Sequence, residues 1–290
     1  MIDLAIISGS GFYDFEGLIN KEEKIIKTEF GDVNVLLGEL SNKKIAYISR
    51  HGKNHELLPN MINHRANIFA LKQLGAKAII STTVCGLTNS GLDLAKIIVF
   101  DDLYYPDNRL PSGEVCSIYK KPGDKKRGHL IFSSLYNKTI REIIIKNNES
   151  YDKGTYGYVN GPRFNSRSEV KMLLQFTDAI SQSAGPEVVL AGELEIPIVL
   201  LGFGIDYANG ASEKPTPIDV LNDNLKKSKD EFKKVILSFL DNYEEPQFDG
   251  FVYRFEWLFF LITKDFVVIL MIHIFKNKSN YFYFISNQSI

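Results

Sequence analysis

Leu4-Ala5-Ile6-Ile7-Ser8, running straight into Gly9-Ser10-Gly11, sets the fold class. An apolar run this short, closed by a glycine pair, reads as a buried strand that ends in a tight loop. The same unit recurs downstream. Residues 78–82 form an apolar run followed by Thr83-Val84-Cys85-Gly86, and residues 198–203 lead into Gly204-Ile205-Asp206-Tyr207. Residues 97–100 and 156–159 are shorter versions, the second broken by Gly161-Pro162-Arg163-Phe164. Residues 33–38 and 44–49 read as strands around a polar turn at Ser41-Asn42. Between the strands lie helical patterns. Residues 60–75 carry Ile62, Ala66, Phe69, Ala70 and Leu74 at helical spacing and stop at Gly75. Residues 133–147, 166–176, 187–194 and 217–240 suit further helices, and residues 106–128, rich in Pro, Gly and Lys, suit a long loop. Strands alternating with helices predict one α/β domain whose central sheet is covered on both faces, with functional loops where strands end.

Composition narrows the function. The 290 residues carry a net charge of -1 and are 44% hydrophobic, enough for a buried core. Lysines and arginines are scattered, so no basic face for nucleic acid is expected. Two cysteines, Cys85 and Cys116, do not suggest a disulfide framework, and five histidines without a Cys/His pair at ligand spacing argue against a structural metal. No charged leader and cleavage site precede the first strand, so the expected compartment is the cytoplasm. Residues 1–245 are expected to form the domain and residues 246–290 an atypical apolar extension. Residues 259–275 approach the length of a membrane anchor, but Lys264 and Asp265 lie inside and Glu256 near its start. Each mid-membrane charge costs about 2.5–3.5 kcal/mol, which favours the alternatives: an apolar element packing on the core or on a partner, or a reading-frame artefact at the gene's end.

Three clusters carry chemistry. Ser10 and the backbone N–H groups around Gly9 and Gly11 can cradle a phosphate oxygen, although a lone glycine turn is more often only a turn. A dinucleotide site would want a third glycine where Asp14 stands. Arg50-His51-Gly52 and His55, then Asn63-His64-Arg65-Ala66-Asn67, gather two arginines and three histidines at a strand end. An arginine fork matches phosphate, while a solvated loop and helix face explains the charges equally well. The third cluster is Phe164 with Asn165, then residues 183–187, then Asp206: an aromatic ring to stack on a flat heterocycle and a carboxylate for its N–H groups.

Taken in order, these segments resemble the trimeric purine nucleoside phosphorylases, and within them the methylthioadenosine phosphorylase branch. The matching pieces run from the Ser8–Asp14 loop through Arg50-His51-Gly52, Asn63–Asn67, Leu71-x-x-Leu74-Gly75 and Thr82–Gly86. They continue with Gly161–Phe164, Pro186–Ala191 and Asp206-Tyr207, covering about residues 1–240.

The resemblance implies one α/β domain with a mixed, partly barrel-like sheet, working as a homotrimer or dimer of trimers with sites near subunit interfaces. It implies no metal and no organic cofactor, with inorganic phosphate as co-substrate. The glycosidic bond stretches, an oxocarbenium-like ribosyl group forms, phosphate attacks C1′ and the purine leaves with a proton at N7. By position, Ser10, Arg50, His51, Thr83 and Ser183 would hold phosphate; His55 and Arg65 share the motif, with shape support as their alternative role. Phe164, Asn165, Gln182 and Asp206 would meet base and ribose, with Asp206 and Ser183 as the catalytic pair. His129 resembles a histidine that reaches a neighbouring subunit's site, and equally suits a surface strand start.

Several positions depart from the family pattern. Ser181-Gln182-Ser183 stands where the family shows Gly-Met-Thr, Ile205 where Thr is usual, and Ala208 where methylthioadenosine enzymes carry a second Asp. Residues 101–105 and 107–109 fit poorly. An ionised Asp206 would accept from a 6-amino group and repel an O6 atom, which favours methylthioadenosine and leaves inosine, guanosine or methylthioinosine as the alternative. Asn165 both donates and accepts and does not decide. A non-catalytic nucleoside-binding protein on the same fold is the reading of another class.

Overall fold

The computed structural model describes residues 1–10 and 15–254, with the backbone of 262–263 and 266–267. Gly11 and Asp14, like most of the expected anchor segment, lie outside the described residues.

The first strand, β1 (Leu4–Ser8), is wholly buried and its two parities serve two cores. Ala5 and Ile7 pack with Ala66, Leu71, Val188 and Ala191 on one face of the sheet. Leu4 and Ile6 pack with Ile140, Ile144, Phe232, Ile236 and Phe239 on the other. A strand covered on both faces loses its alternation and becomes a continuous apolar run, which explains its legibility.

Around β1 the chain adds β2 (Ile19–Thr28), β3 (Gly31–Leu40), β4 (Lys43–Ser49), helix α1 (His64–Gln73), β5 (Ile79–Leu87), β6 (Ile97–Val99), β7 (Asp102–Tyr104) and β8 (His129–Phe132). Then come α2 (Lys138–Asn147), β9 (Thr155–Tyr158), α3 (Arg167–Leu173), β10 (Ala179–Ser181), α4 (Gly185–Glu193), β11 (Ile198–Tyr207), α5 (Ile218–Asp241) and β12 (Gly250–Tyr253). Ten strands form one mixed sheet along the path β2-β3-β4-β1-β5-β10-β9-β7, with β11 joining β5 to β6. Helices α1 and α4 cover one face, α2 and α5 the other.

The central strand β5 shapes the site. Along one edge its first residues, Ile79 to Ser81, pair in parallel with β1, and its last, Gly86 and Leu87, pair antiparallel with β10. Its other edge pairs with β11 along the full length. The sheet therefore splits, and between the end of β1 and the end of β10 the edge of Thr82 to Cys85 faces neither strand. Ligands in open α/β sheets bind at such switch points.

Local signals place the helix ends. Asn63 accepts from Ala66 N and caps α1, so the helix begins later than the pattern over 60–75 predicts. Pro59–Met61 forms a separate 3-10 turn. Asn137 does the same for α2, whose predicted start at 133 moves to Lys138. Past residue 245 the chain stays on the domain, since β12 pairs antiparallel with β8. Beyond it, Ile262–Thr263 (β13) and Phe266–Val267 (β14) form a short ladder of their own. Among the described residues no helix is long and apolar enough to cross a membrane, and no group of His, Cys, Asp and Glu could hold a metal ion.

Candidate active site

The ends of five strands meet at the split in the sheet. Ser10 follows β1, His51 and His55 follow β4, Phe164 and Asn165 follow β9, Gln182 and Ser183 follow β10, and Asp206 stands near the end of β11. All of them, with Thr83 of β5, line one cavity of about 800 Å³. Val84, Leu58, Leu221 and Leu225 give part of its wall an aliphatic character.

At one end the cavity gathers hydroxyls. Thr83 Oγ1 and Ser181 Oγ are 2.8 Å apart, and Ser181 Oγ is 2.6 Å from Tyr156 OH. Ala184 N donates to Tyr156 OH at 3.2 Å, tying this chain to the start of α4. Ser183 stands one residue before Ala184, the N-cap of α4. The positive end of a helix dipole and hydroxyls on the facing strand are together suited to hold an anion.

His51 is neutral here. Burial first, then the Arg50 charge, lower its pKa to about 4. Its Nδ1 lies 2.9 Å from Leu57 O, and a carbonyl only accepts, so that nitrogen carries the proton. Nε2 is left with a lone pair. The His55 ring stacks on the His51 ring, 4.7 Å between centroids.

Arg50 is the departure from the expected arrangement. It is not among the lining side chains; it lies under the floor, 1% exposed. Nε and NH2 form a two-point ion pair with Glu187, NH2 also donates to Ser81 Oγ, and NH1 donates to Thr82 O at 2.9 Å. A Cβ built on Gly9 would come within 3.0 Å of NH1, so this corner of the guanidinium lies directly beneath the loop that carries Ser10. Arg65 is also removed from the cavity: it donates to Ser117 O, Val115 O and Glu114. His129 sits on β8 opposite Tyr253 and does not line the cavity of its own chain.

At the other end stands Asp206. The register between β5 and β11 slips at this point: Gly204 faces Cys85 and Asp206 faces Gly86, leaving Ile205 as an extra residue. A bulge re-aims the next side chain, and here that side chain is the carboxyl. Among the described residues Asp206 has no salt bridge and no hydrogen bond from a side chain. Burial alone pushes its pKa up to about 6. Cys85, also lining the cavity, is pushed up to about 12 by burial and is an inert thiol at neutral pH. Gln182 donates from Nε2 to Arg163 O at 2.9 Å, and its Oε1 fills the space where Gly161 has no side chain. Phe164 is 81% exposed at the open mouth.

The sequence reading assigns no role to Tyr156 or Ser181, which complete the hydroxyl chain, and includes Glu187 only within residues 183–187, without its bond to Arg50. A tyrosine inside an apolar strand carries no signal of its own. Glu187 sits in a helical pattern where a surface position is the default reading. A larger groove of about 1050 Å³ runs along α1 to Arg254, but much of its charge is internally paired, Arg65 and Lys120 with Glu114 and Arg254 with Glu195.

The chain is similar to known proteins over most of its length. It is 32% identical to a probable 6-oxopurine nucleoside phosphorylase of Dictyoglomus turgidum, across 80% of this chain and 90% of that one. It is 30% identical to an S-methyl-5′-thioadenosine phosphorylase of Thermofilum pendens, across 85% and 94%. The solved methylthioadenosine phosphorylase of Schistosoma mansoni, in complex with adenine, shares the fold with a TM-score of 0.73 at 24% identity, covering 83% of this chain and 91% of that one. The family model of the phosphorylase superfamily matches residues 3–241, and the chain belongs to that family.

Proposed function

We propose that this protein cleaves purine nucleosides by phosphorolysis, with methylthioadenosine as the leading substrate. The observation that carries the reading is the single cavity with hydroxyls and a helix N-terminus at one end and a carboxyl raised to about 6 at the other. In the proposed reaction the C1′–N9 bond breaks and its electron pair goes to the purine. A phosphate oxygen bonds to C1′, and Asp206 gives a proton to N7. Ser10, Thr83 and Ser183 hold the phosphate oxygens, and neutral His51 accepts from a protonated one through Nε2. Arg50 contributes from beneath, through NH1. Phe164, Asn165 and Gln182 meet base and ribose, and aliphatic Leu58, Leu221 and Leu225 suit a thioether better than a bare hydroxyl.

The base is a closer matter. Only an ionised Asp206 repels the O6 atom of a 6-oxopurine. A carboxyl near pKa 6 is protonated for part of the time and then donates to O6 as readily as to N7. The relatives divide the same way, which supports 6-oxopurine nucleosides as the second reading. The test is purine release from methylthioadenosine, adenosine, inosine, guanosine and methylthioinosine, each with and without phosphate. Release that ignores phosphate, or none from any nucleoside, would refute phosphorolysis.

The exposed Phe164 and a His129 remote from its own cavity fit a site completed by a neighbouring copy. We read the protein as a homotrimer, to be checked by light scattering. No cofactor or metal enters the proposed chemistry. Two free, buried cysteines accord with work in the cytoplasm.

A further inference from the structure

Glu187 is fully buried and takes no part in the chemistry above, yet it sits at the centre of a buried polar network. Its Oε1 accepts from Arg50 Nε, and its Oε2 accepts from Arg50 NH2 and from Ser81 Oγ. Arg50 NH2 also donates to Ser81 Oγ, closing a three-membered ring of bonds. His64 Nδ1 lies 3.7 Å from Oε1, too far for a hydrogen bond. Burial works to raise the Glu187 pKa, but the Arg50 charge and hydrogen bonds outweigh it and hold the group at about 2. It is a carboxylate at any working pH.

Stability alone is a weak reason for such a pair. A buried ion pair is often no better than apolar residues of the same volume. What the pair does fix is direction. With Nε and NH2 engaged, the guanidinium cannot rotate, and NH1 is left pointing at Thr82 O and at the underside of Gly9. These backbone points come immediately before Thr83 and Ser10. One N–H of NH1 carries no hydrogen bond within the network.

We propose that Glu187 is a positioning residue for phosphate: it clamps Arg50 so that the free edge of NH1 faces the loops carrying Ser10 and Thr83. The proposal rests on the cavity being a phosphate site. Glu187 touches no substrate and acts through Arg50.

The test uses the full chain, with initial rates for methylthioadenosine and inosine over a range of phosphate concentrations. Glu187→Gln keeps the shape and loses the charge. It is expected to raise the KM for phosphate about tenfold while the KM for nucleoside stays within about twofold. Glu187→Asp should recover part of the loss, and Glu187→Gln combined with Arg50→Gln should be no worse than Arg50→Gln alone, because residues acting through one another are not additive. A Glu187→Gln effect that falls equally on both substrates, or that multiplies with Arg50→Gln, overturns the proposal. If Glu187→Gln does not fold, Ser81→Ala decides: a rise of about threefold in the phosphate KM alone supports the clamp, and no change overturns it. If Arg50→Gln leaves the phosphate KM unchanged, the phosphate-site reading itself fails. If Arg50→Gln raises it and Glu187→Gln does not, only the positioning role fails.

Discussion

The raised pKa of Asp206 makes a prediction that can be followed through. Moving the carboxyl from its ordinary 3.8 to about 6 is worth about 3 kcal/mol of preference for the neutral form. If that form gives the proton to N7, only the protonated free enzyme is competent. At pH 8 about one molecule in a hundred would be protonated, so kcat/KM for nucleoside should fall about tenfold per pH unit above about 6. The measurement holds the phosphate dianion concentration fixed and varies pH from 5 to 8.5. Asp206→Asn donates through an amide whatever the pH. It should be slower by about a hundredfold or more at pH 6 and flat over the same range, with its remaining activity shifted toward 6-oxopurines. The cause of the shift adds a second check. Burial, and no neighbouring charge, raises this group. Raising the salt concentration tenfold should leave the falling limb in place, whereas a charge-driven shift would be screened. A wild-type profile flat to pH 8, a limb that survives in Asp206→Asn, or one that moves with salt refutes the reasoning.

Other substitutions test other parts of the structure. Arg50→Ala strands Glu187 as an unpaired buried charge, so unfolding in urea should show a loss of about 3–5 kcal/mol, and phosphate use should suffer far more than binding of free purine base. Gly161→Ala would drive a Cβ into Gln182 Oε1; if Gln182 meets ribose, the nucleoside KM should rise about threefold to tenfold with the phosphate KM unchanged. Gly75 ends α1 at φ +68, so Gly75→Ala should destabilise the fold by about 1 kcal/mol or more without altering either KM, measured by denaturant unfolding beside initial rates.

The sequence made the fold legible wherever burial was two-sided. β1, β5 and β11 read as continuous apolar runs because helices cover both faces of the sheet. Strand β2 was missed because it is an edge strand that pairs only with β3, and its Lys and Glu residues face solvent. Charge on an exposed edge guards against pairing with other chains, and it erases the apolar pattern. Strand β10 has three residues and β7 three, too short for any periodicity to register. The same limit applies to the length of β5. Its last residues, from Thr83 to Leu87, looked like a loop because threonine, cysteine and glycine break the apolar run, yet the strand continues along β11.

That misread continuation matters to the proposed phosphate site. A loop could offer Thr83 to phosphate in many orientations, whereas a strand held on one side by β11 and open on the other offers it in one. The open edge exists because β1 pairs with β5 only as far as Ser81, while β10, running antiparallel, pairs with β5 only at Gly86 and Leu87. Two loops with serines, after β1 and after β10, must then meet across Thr82 to Cys85. Nothing in the one-dimensional pattern encodes which strands neighbour β5 or where they stop. For the same reason the sequence puts Arg50 and Glu187 in separate clusters and does not pair them, although their side chains bond across 137 residues of chain. With Glu187 opposite it, the pair adds almost no net charge to the cavity. On the proposed reading, the pull on phosphate would then come from aimed dipoles, the start of α4 and the hydroxyls of Ser10, Thr83 and Ser183. Binding built on aimed dipoles is sensitive to position, so substitutions that move Arg50 or the Gly9 loop by a fraction of an ångström should cost more than the loss of a distant surface charge.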